Sequence, residues 1–227
     1  MLGVKKVQPD WDPAKVLDGI EAAVYVLVKP YGFQKHGRTL HRFVSGDISQ
    51  IILFQLGQAY RGETHLLVVN VGIRVPECVN RQFCAEANPR KYYHEYDCNI
   101  RSRLGEIEGK EVSCYDLRQP VSPIAGDILR QIETLVIPTF EILNSREAIL
   151  AKRRDYPLFD SLNRHLILLE EAMIYGRQRD LEKARETFCL YYHLCENRRL
   201  AQKDPQTIQN HLLYLDGLAA ELGMDIP

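Results

Sequence analysis

The sequence predicts an α+β protein: an N-terminal helix, an antiparallel sheet of four to five strands, and a C-terminal group of about four helices. Three observations carry that expectation. A proline-started amphipathic stripe opens the chain, β-rich runs with short joints follow it, and the pattern after Pro120 is helical throughout. With 227 residues, of which 45% are hydrophobic and 26% charged, the chain has the composition of a folded domain with a true core.

Asp12-Pro13 supplies an N-cap carboxylate followed by a residue that lacks the donor a first helical turn leaves unpaired. Val16, Leu17, Ile20, Ala23, Val24 and Leu27 then recur at three- and four-residue steps, and Lys29-Pro30 ends the helix. Leu40 to Ser45, Ile48 to Leu56 and His65 to Val75 read as strands. Ser45-Gly46-Asp47 marks a tight turn, and Gln58 to Thr64 joins the second run to the third. Joints this short make the strands antiparallel, because a parallel crossover needs a dozen or more residues. Cys98 to Leu104 is expected as a fourth strand and Val112 to Leu117 as a weaker fifth, with an irregular excursion from Pro76 to Tyr96.

Beyond Pro120, the apolar positions from Ile124 to Ile149 form one long stripe that Pro138 is expected to kink or divide. Leu158 to Met173 form a second stripe. Asp180 caps a third that runs to Cys195, and Asp204-Pro205 opens a fourth that stops at Gly223. The expected organisation is an α+β domain over residues 1–120 with a helical region, 121–227, packed on it.

Composition narrows function. Net charge is −1, so the chain carries no general attraction to nucleic acid or anionic lipid. The longest wholly apolar run, Ala22 to Val28, is far short of the ~18 residues that suggest a membrane span. No secretory leader pattern is visible, and the six cysteines (78, 84, 98, 114, 189, 195) are dispersed, so free thiols in the cytoplasm are expected. Motifs for phosphate loops, dinucleotide turns, nucleophile elbows and zinc-binding helices are missing, and the cysteine and histidine spacings do not form ligand pairs. No catalytic residue, metal or cofactor is therefore expected. The one nuclease-like fragment, Asp97 with Glu108-Gly109-Lys110, is read instead as an ordinary solvated charged turn.

One polar set on the sheet is less ordinary. Both central strands are apolar on both faces, which predicts cover on each side and burial of Gln55 and Asn70. Arg101 and Arg103 share a face of the fourth strand, while Arg38 and Arg42 flank the first. Four guanidiniums near two amides could form a carboxylate or phosphate site. Alternatively, the arginines cap loop carbonyls or pair with Glu63, Glu95 and Asp97.

The segment Lys29-Pro30-x-Gly32-Phe33-x-Lys35-x-Gly37-Arg38-Thr39-x-x-Arg42, the strand holding Gln55, Val69-Asn70-Val71-Gly72-Ile73 and Cys98-x-Ile100-Arg101-x-Arg103-Leu104 together resemble the bacterial family of domain of unknown function 4304, over roughly residues 15 to 120. The family has no assigned reaction. The resemblance implies a cytoplasmic bacterial protein of a kind that often travels with toxin–immunity or defence genes. Phe33 is expected to anchor the turn between helix and first strand. The function expected is non-catalytic binding of a protein partner, because Tyr and Arg on the helical surface are strong interface residues. The competing reading is an enzyme or binding module for a phosphate-bearing or nucleic-acid ligand held by the arginines. Self-association through the helices is a third option.

Overall fold

The computed structural model describes residues 12–57, 65–80, 89–110, 114–157, 159, 166–201 and 205–223. The described chain forms two compact units, residues 1–74 with 91–162 and residues 75–90 with 163–227.

The first unit begins with α1 (Pro13–Val28), whose N-cap Asp12 accepts a hydrogen bond from the Ala14 N–H. Leu17, Ile20, Val24 and Val28 are its buried stripe. Strands β1 (Gln34–His36), β2 (Thr39–Val44), β3 (Ile48–Gly57), β4 (Leu66–Arg74), β5 (Ile100–Arg103) and β6 (Tyr115–Asp116) form one antiparallel sheet. Its order is β1-β2-β3-β4-β5, with β6 also on β4. Strand β5 pairs with the Asn70–Ile73 stretch of β4, and β6 with Leu66 and Leu67. The expected antiparallel meander is thus present, with one addition: β1, an all-exposed polar hairpin partner of β2 that hydrophobic alternation does not reveal. Of the expected fifth strand, Val112 lies outside the described residues, as does the Gln58 to Thr64 joint. The excursion after β4 opens with α2 (Pro76–Asn80) and includes a 3-10 turn at Glu95–Asp97.

A short helix, α3 (Leu104–Ile107), follows β5. The long helix of this unit runs as α4 (Val121–Gln131), a π-turn (Ile132–Val136) and α5 (Ile137–Ile142). Pro138 does not divide it. The Ile137 N–H reaches back five residues to the Ile132 carbonyl, and this widened turn absorbs the donor that proline lacks. The break comes instead after Ile142, and Ser145 starts α6 (Arg146–Lys152) by accepting from the Ala148 N–H.

Register sorts the sheet into two faces. Leu40, Ile52, Phe54, Val69, Val71 and Ile100 share the face that also carries Arg42 and Gln50. Helix α1 packs on both β3 and α4, and Gln50 donates to the Phe140 carbonyl of α5, so this face lies under helices. Phe33 stacks on Phe140 with centroids 6.0 Å apart, and Phe140 meets Phe159 edge-on at 5.5 Å. The turn anchor expected of Phe33 is therefore real.

The second unit contains α2 and the helices α7 (Ile167–Arg177), α8 (Leu181–Ala201) and α9 (Pro205–Glu221). Helix α7 packs against α2 and α8, and α8 against α9. Asp180 caps α8 through the Lys183 N–H, and the Arg185 side chain donates to the Leu222 carbonyl at the end of α9. No helix among the described residues is long and apolar enough to cross a membrane.

Candidate functional site

On the sheet face opposite α1 and α4, the register lines up His36 on β1 and Thr39, His41 and Phe43 on β2. Ser49, Ile51, Leu53 and Gln55 continue it on β3, Asn70, Gly72 and Arg74 on β4, and Arg101 and Arg103 on β5. Residues 91–99 lie along this face. Tyr93 is buried, and the Arg74 guanidinium sits 3.8 Å above its ring. Cys98, also buried, packs on Gly72, where any Cβ would fall 2.7 Å from its Sγ. Here glycine is required by close approach and not by backbone angle.

The six residues that the sequence singles out separate into groups. Arg42 is on the helix-covered face and is fully engaged: its Nε donates to Gln50 Oε1 at 2.8 Å, one terminal nitrogen to the Tyr31 carbonyl at 2.7 Å, and the other to Glu141 at 2.5 Å. Its guanidinium also lies 4.9 Å from the Phe33 ring centroid. Arg38, in the β1–β2 turn, reaches Asp18 of α1 at 3.7 Å. On the opposite face Arg101 donates to Glu95 at 2.6 Å, and Arg103 lies 3.8 Å from Glu106. Asn70 donates to Gln55 at 3.2 Å, so the two amides do satisfy each other. Asn70 is buried as expected, whereas Gln55 is exposed. The structure thus brings together Gln55, Asn70, Arg101 and Arg103 and keeps Arg38 and Arg42 apart from them.

Sequence reasoning missed the more concentrated feature. The His36 and Tyr92 rings meet at a tilt of 33° with centroids 3.4 Å apart, and Tyr92 also lies 6.1 Å from His41 and 5.6 Å from His94. His94 stacks on Tyr96 at 5.0 Å, His41 meets Phe43 at 5.8 Å, and Phe43 meets Tyr93 at 6.1 Å. Thr39 Oγ1 and His94 Nδ1 share a hydrogen bond of 2.9 Å. The Thr39 hydroxyl is buried, so this pair holds residues 91–97 to β2 and does not present a nucleophile. The available signal was the Gly37 turn: once β1 is recognised, His36 and His41 fall on one face as diagonal neighbours. The tyrosines and His94, some 50 residues further on, gave no local sign.

Burial depresses the His41 imidazole below its ordinary value, and the His36 charge adds to that. Burial likewise pushes the Cys98 thiol up, with Glu95 adding to it. Elsewhere, Glu108 and Lys110 of the nuclease-like fragment lie 2.6 Å apart, while Asp97 is not part of that group: its carboxylate accepts from the His94 N–H. Asp127 of α4 joins them instead, 3.1 Å from Lys110, and Arg130 bridges Asp127 and Glu108. Two carboxylates here already hold two cations, which is a neutral clamp between the turn after α3 and α4. Among the described residues no group of three or more His, Cys, Asp or Glu side chains is placed to hold a metal ion.

The architecture is an antiparallel sheet with helices on one face and a ring-rich strip on the other. By sequence the chain belongs to the family Domain of unknown function (DUF4304), whose model matches residues 26–142. The match passes Pro120, the end of the expected resemblance, and takes in α4 and α5. That extent makes physical sense, since α5 supplies the partners of Arg42 and Gln50. No curated protein and no solved structure matches the chain.

Proposed function

We propose that this chain is a bacterial cytoplasmic binding protein, without catalysis of its own, that recognises a protein partner through the ring-rich face of its sheet. The observation that carries the reading is the combination on that face of exposed rings with neutralised charge. Phe43 is 42% and Tyr96 62% exposed, whereas Arg101 and Arg103 are each held against a glutamate. Aromatic side chains flanked by ion-paired arginines suit a protein surface, where a few rigid rings dominate the binding energy. A phosphate backbone would instead favour unpaired cations. The competing reading, an anion gripped by Arg38, Arg42, Arg101 and Arg103, draws no support from arginines on opposite faces of the sheet. An immunity or defence-associated protein is the version that the family resemblance favours.

The test is a pull-down from the native host with the wild type and with a Phe43→Ser/Tyr96→Ser variant confirmed as folded by circular dichroism. A stoichiometric protein captured by the first and lost by the second supports the reading. Equal capture, or no stoichiometric protein at all, overturns it.

A further inference from the structure

The His36, His41 and His94 imidazoles lie within one strip of ring contacts, and Tyr92 touches all three. Residues 91–97 are held to β1 and β2 by those contacts, by Phe43 against Tyr93, and by the Thr39–His94 hydrogen bond. The His41 side chain is 5% exposed, and its Nδ1 is buried without a hydrogen-bond partner. A neutral imidazole tolerates such a place among rings; an imidazolium there has a buried donor with no acceptor and a second imidazole beside it.

We propose that residues 91–97 are a pH-sensitive strap: proton uptake by His41 in mildly acidic solution breaks the ring contacts of Tyr92 with His36 and His41 and releases the strap from β1 and β2. The groups facing His41 make this sign robust. From β1 comes His36, and from β2 the Phe43 ring, while the strap offers Tyr92 and, beyond it, His94. The two strap carboxylates are already engaged: Glu95 accepts from Arg101, and Asp97 from the His94 N–H. On the same sheet face, β4 and β5 contribute Arg74 and Arg101, both cationic. A proton on His41 therefore enters a strip whose nearby charges do not compensate it. Its lowered pKa agrees with that arrangement.

The linkage has one direction. Because the closed strap holds His41 in its neutral form, closure is complete above the ordinary imidazole pKa of about 6.5 and weakens as pH falls below it. The release is limited to about tenfold for each unit by which the closed and open pKa values differ. This device sits on the recognition face proposed above, yet its test uses the full chain without any partner, so the two readings fail independently.

The experiment is amide hydrogen exchange of the full-length protein between pH 7.5 and 5.0, expressed as protection factors so that intrinsic rates cancel. Protection of Tyr92 to Tyr96 is expected to fall severalfold as pH drops, while β3 and β4 stay protected. In His41→Phe, which keeps a ring but cannot titrate, the fall should vanish. The wild-type His41 ring protons, followed by NMR, provide a second readout that does not depend on the variant folding. Their titration should coincide with the loss of protection. A wild type whose strap protection is unchanged while His41 titrates would overturn the proposal, as would the same pH dependence in a folded His41→Phe.

Discussion

Gly72 on β4 lies directly against Cys98, so that a Cβ added at residue 72 would meet the Cys98 Sγ at 2.7 Å and its Cβ at 2.8 Å, with the Ile100 carbonyl at 3.2 Å. The contact seats the chain that leads into β5 on the centre of the sheet. In this chain, the glycine of Asn70-Val71-Gly72 thus marks a packing constraint. Gly72→Ala should cost about 1–3 kcal/mol, the usual range for overpacking. Urea unfolding of Gly72→Ala, Cys98→Gly and the double variant should show the two losses failing to add, because Cys98→Gly clears the space that the alanine needs. Strict additivity would mean that the strand shifts to accept the methyl.

The same burial predicts an inert thiol. With its pKa pushed up by burial and then by Glu95, Cys98 carries little thiolate at pH 8. Mass-resolved labelling of the native protein should modify the partly exposed Cys114 and Cys189 first and reach Cys98 only on unfolding.

Arg42 should behave as a structural residue. Removing it strands the buried Gln50 Oε1 and takes a donor from the Tyr31 carbonyl, and Arg42→Met is expected to destabilise by about 2–4 kcal/mol. Arg42→Lys should rescue little, because one ammonium cannot replace a planar fork that reaches three acceptors on three elements. Glu141→Gln should cost under about 1 kcal/mol, since the Glu141 side chain is half exposed. Chemical denaturation of the three variants checks this order; an Arg42→Met protein of wild-type stability would contradict it.

The clamp around Asp127 makes a prediction in acid. The Lys110 hydrogen bond holds Glu108 below the usual carboxylate range. Burial raises Asp127, but hydrogen bonds from Arg130 and Lys110 outweigh it, and the net effect is again downward. Carboxyls depressed in the folded state stabilise it above their unfolded pKa, near 4, and lose that contribution as pH falls through the folded values. Glu108→Gln should therefore lower stability at pH 7 by about 1 kcal/mol or less, and less again in 1 M salt. Near pH 2 its unfolding midpoint should match that of the wild type. A gap that persists there would mean that packing, and not charge, explains the loss.

Local chemistry was legible in the sequence, and distant pairing was not. Asp12-Pro13, Ser45-Gly46 and Gly223 each mark a boundary because one residue's own geometry sets it. Alternation placed Gln50, Ile52 and Phe54 on one face, but which face of β2 joins them depends on register. That is why Arg42, opposite Gln50, could be grouped with Arg101, which belongs to the other side. Strand β1 escaped because Gln34, Lys35 and His36 are all polar and exposed. At Pro138 the expected division is absent, since a π-turn accommodates what an α-turn would not. The ring strip gathers His36, His41, Tyr92 and His94 from separate segments, and only tertiary structure could assemble it.

Site-specific photocrosslinking in the native host tests the recognition face most directly, with a photoreactive phenylalanine analogue placed at Phe43, at Tyr96 and, as a control, at the exposed Val26 of α1. The account predicts one adduct with a different protein from positions 43 and 96 and none from 26. Adducts only from Val26, or a product of twice the chain's own mass from Phe43, would contradict it.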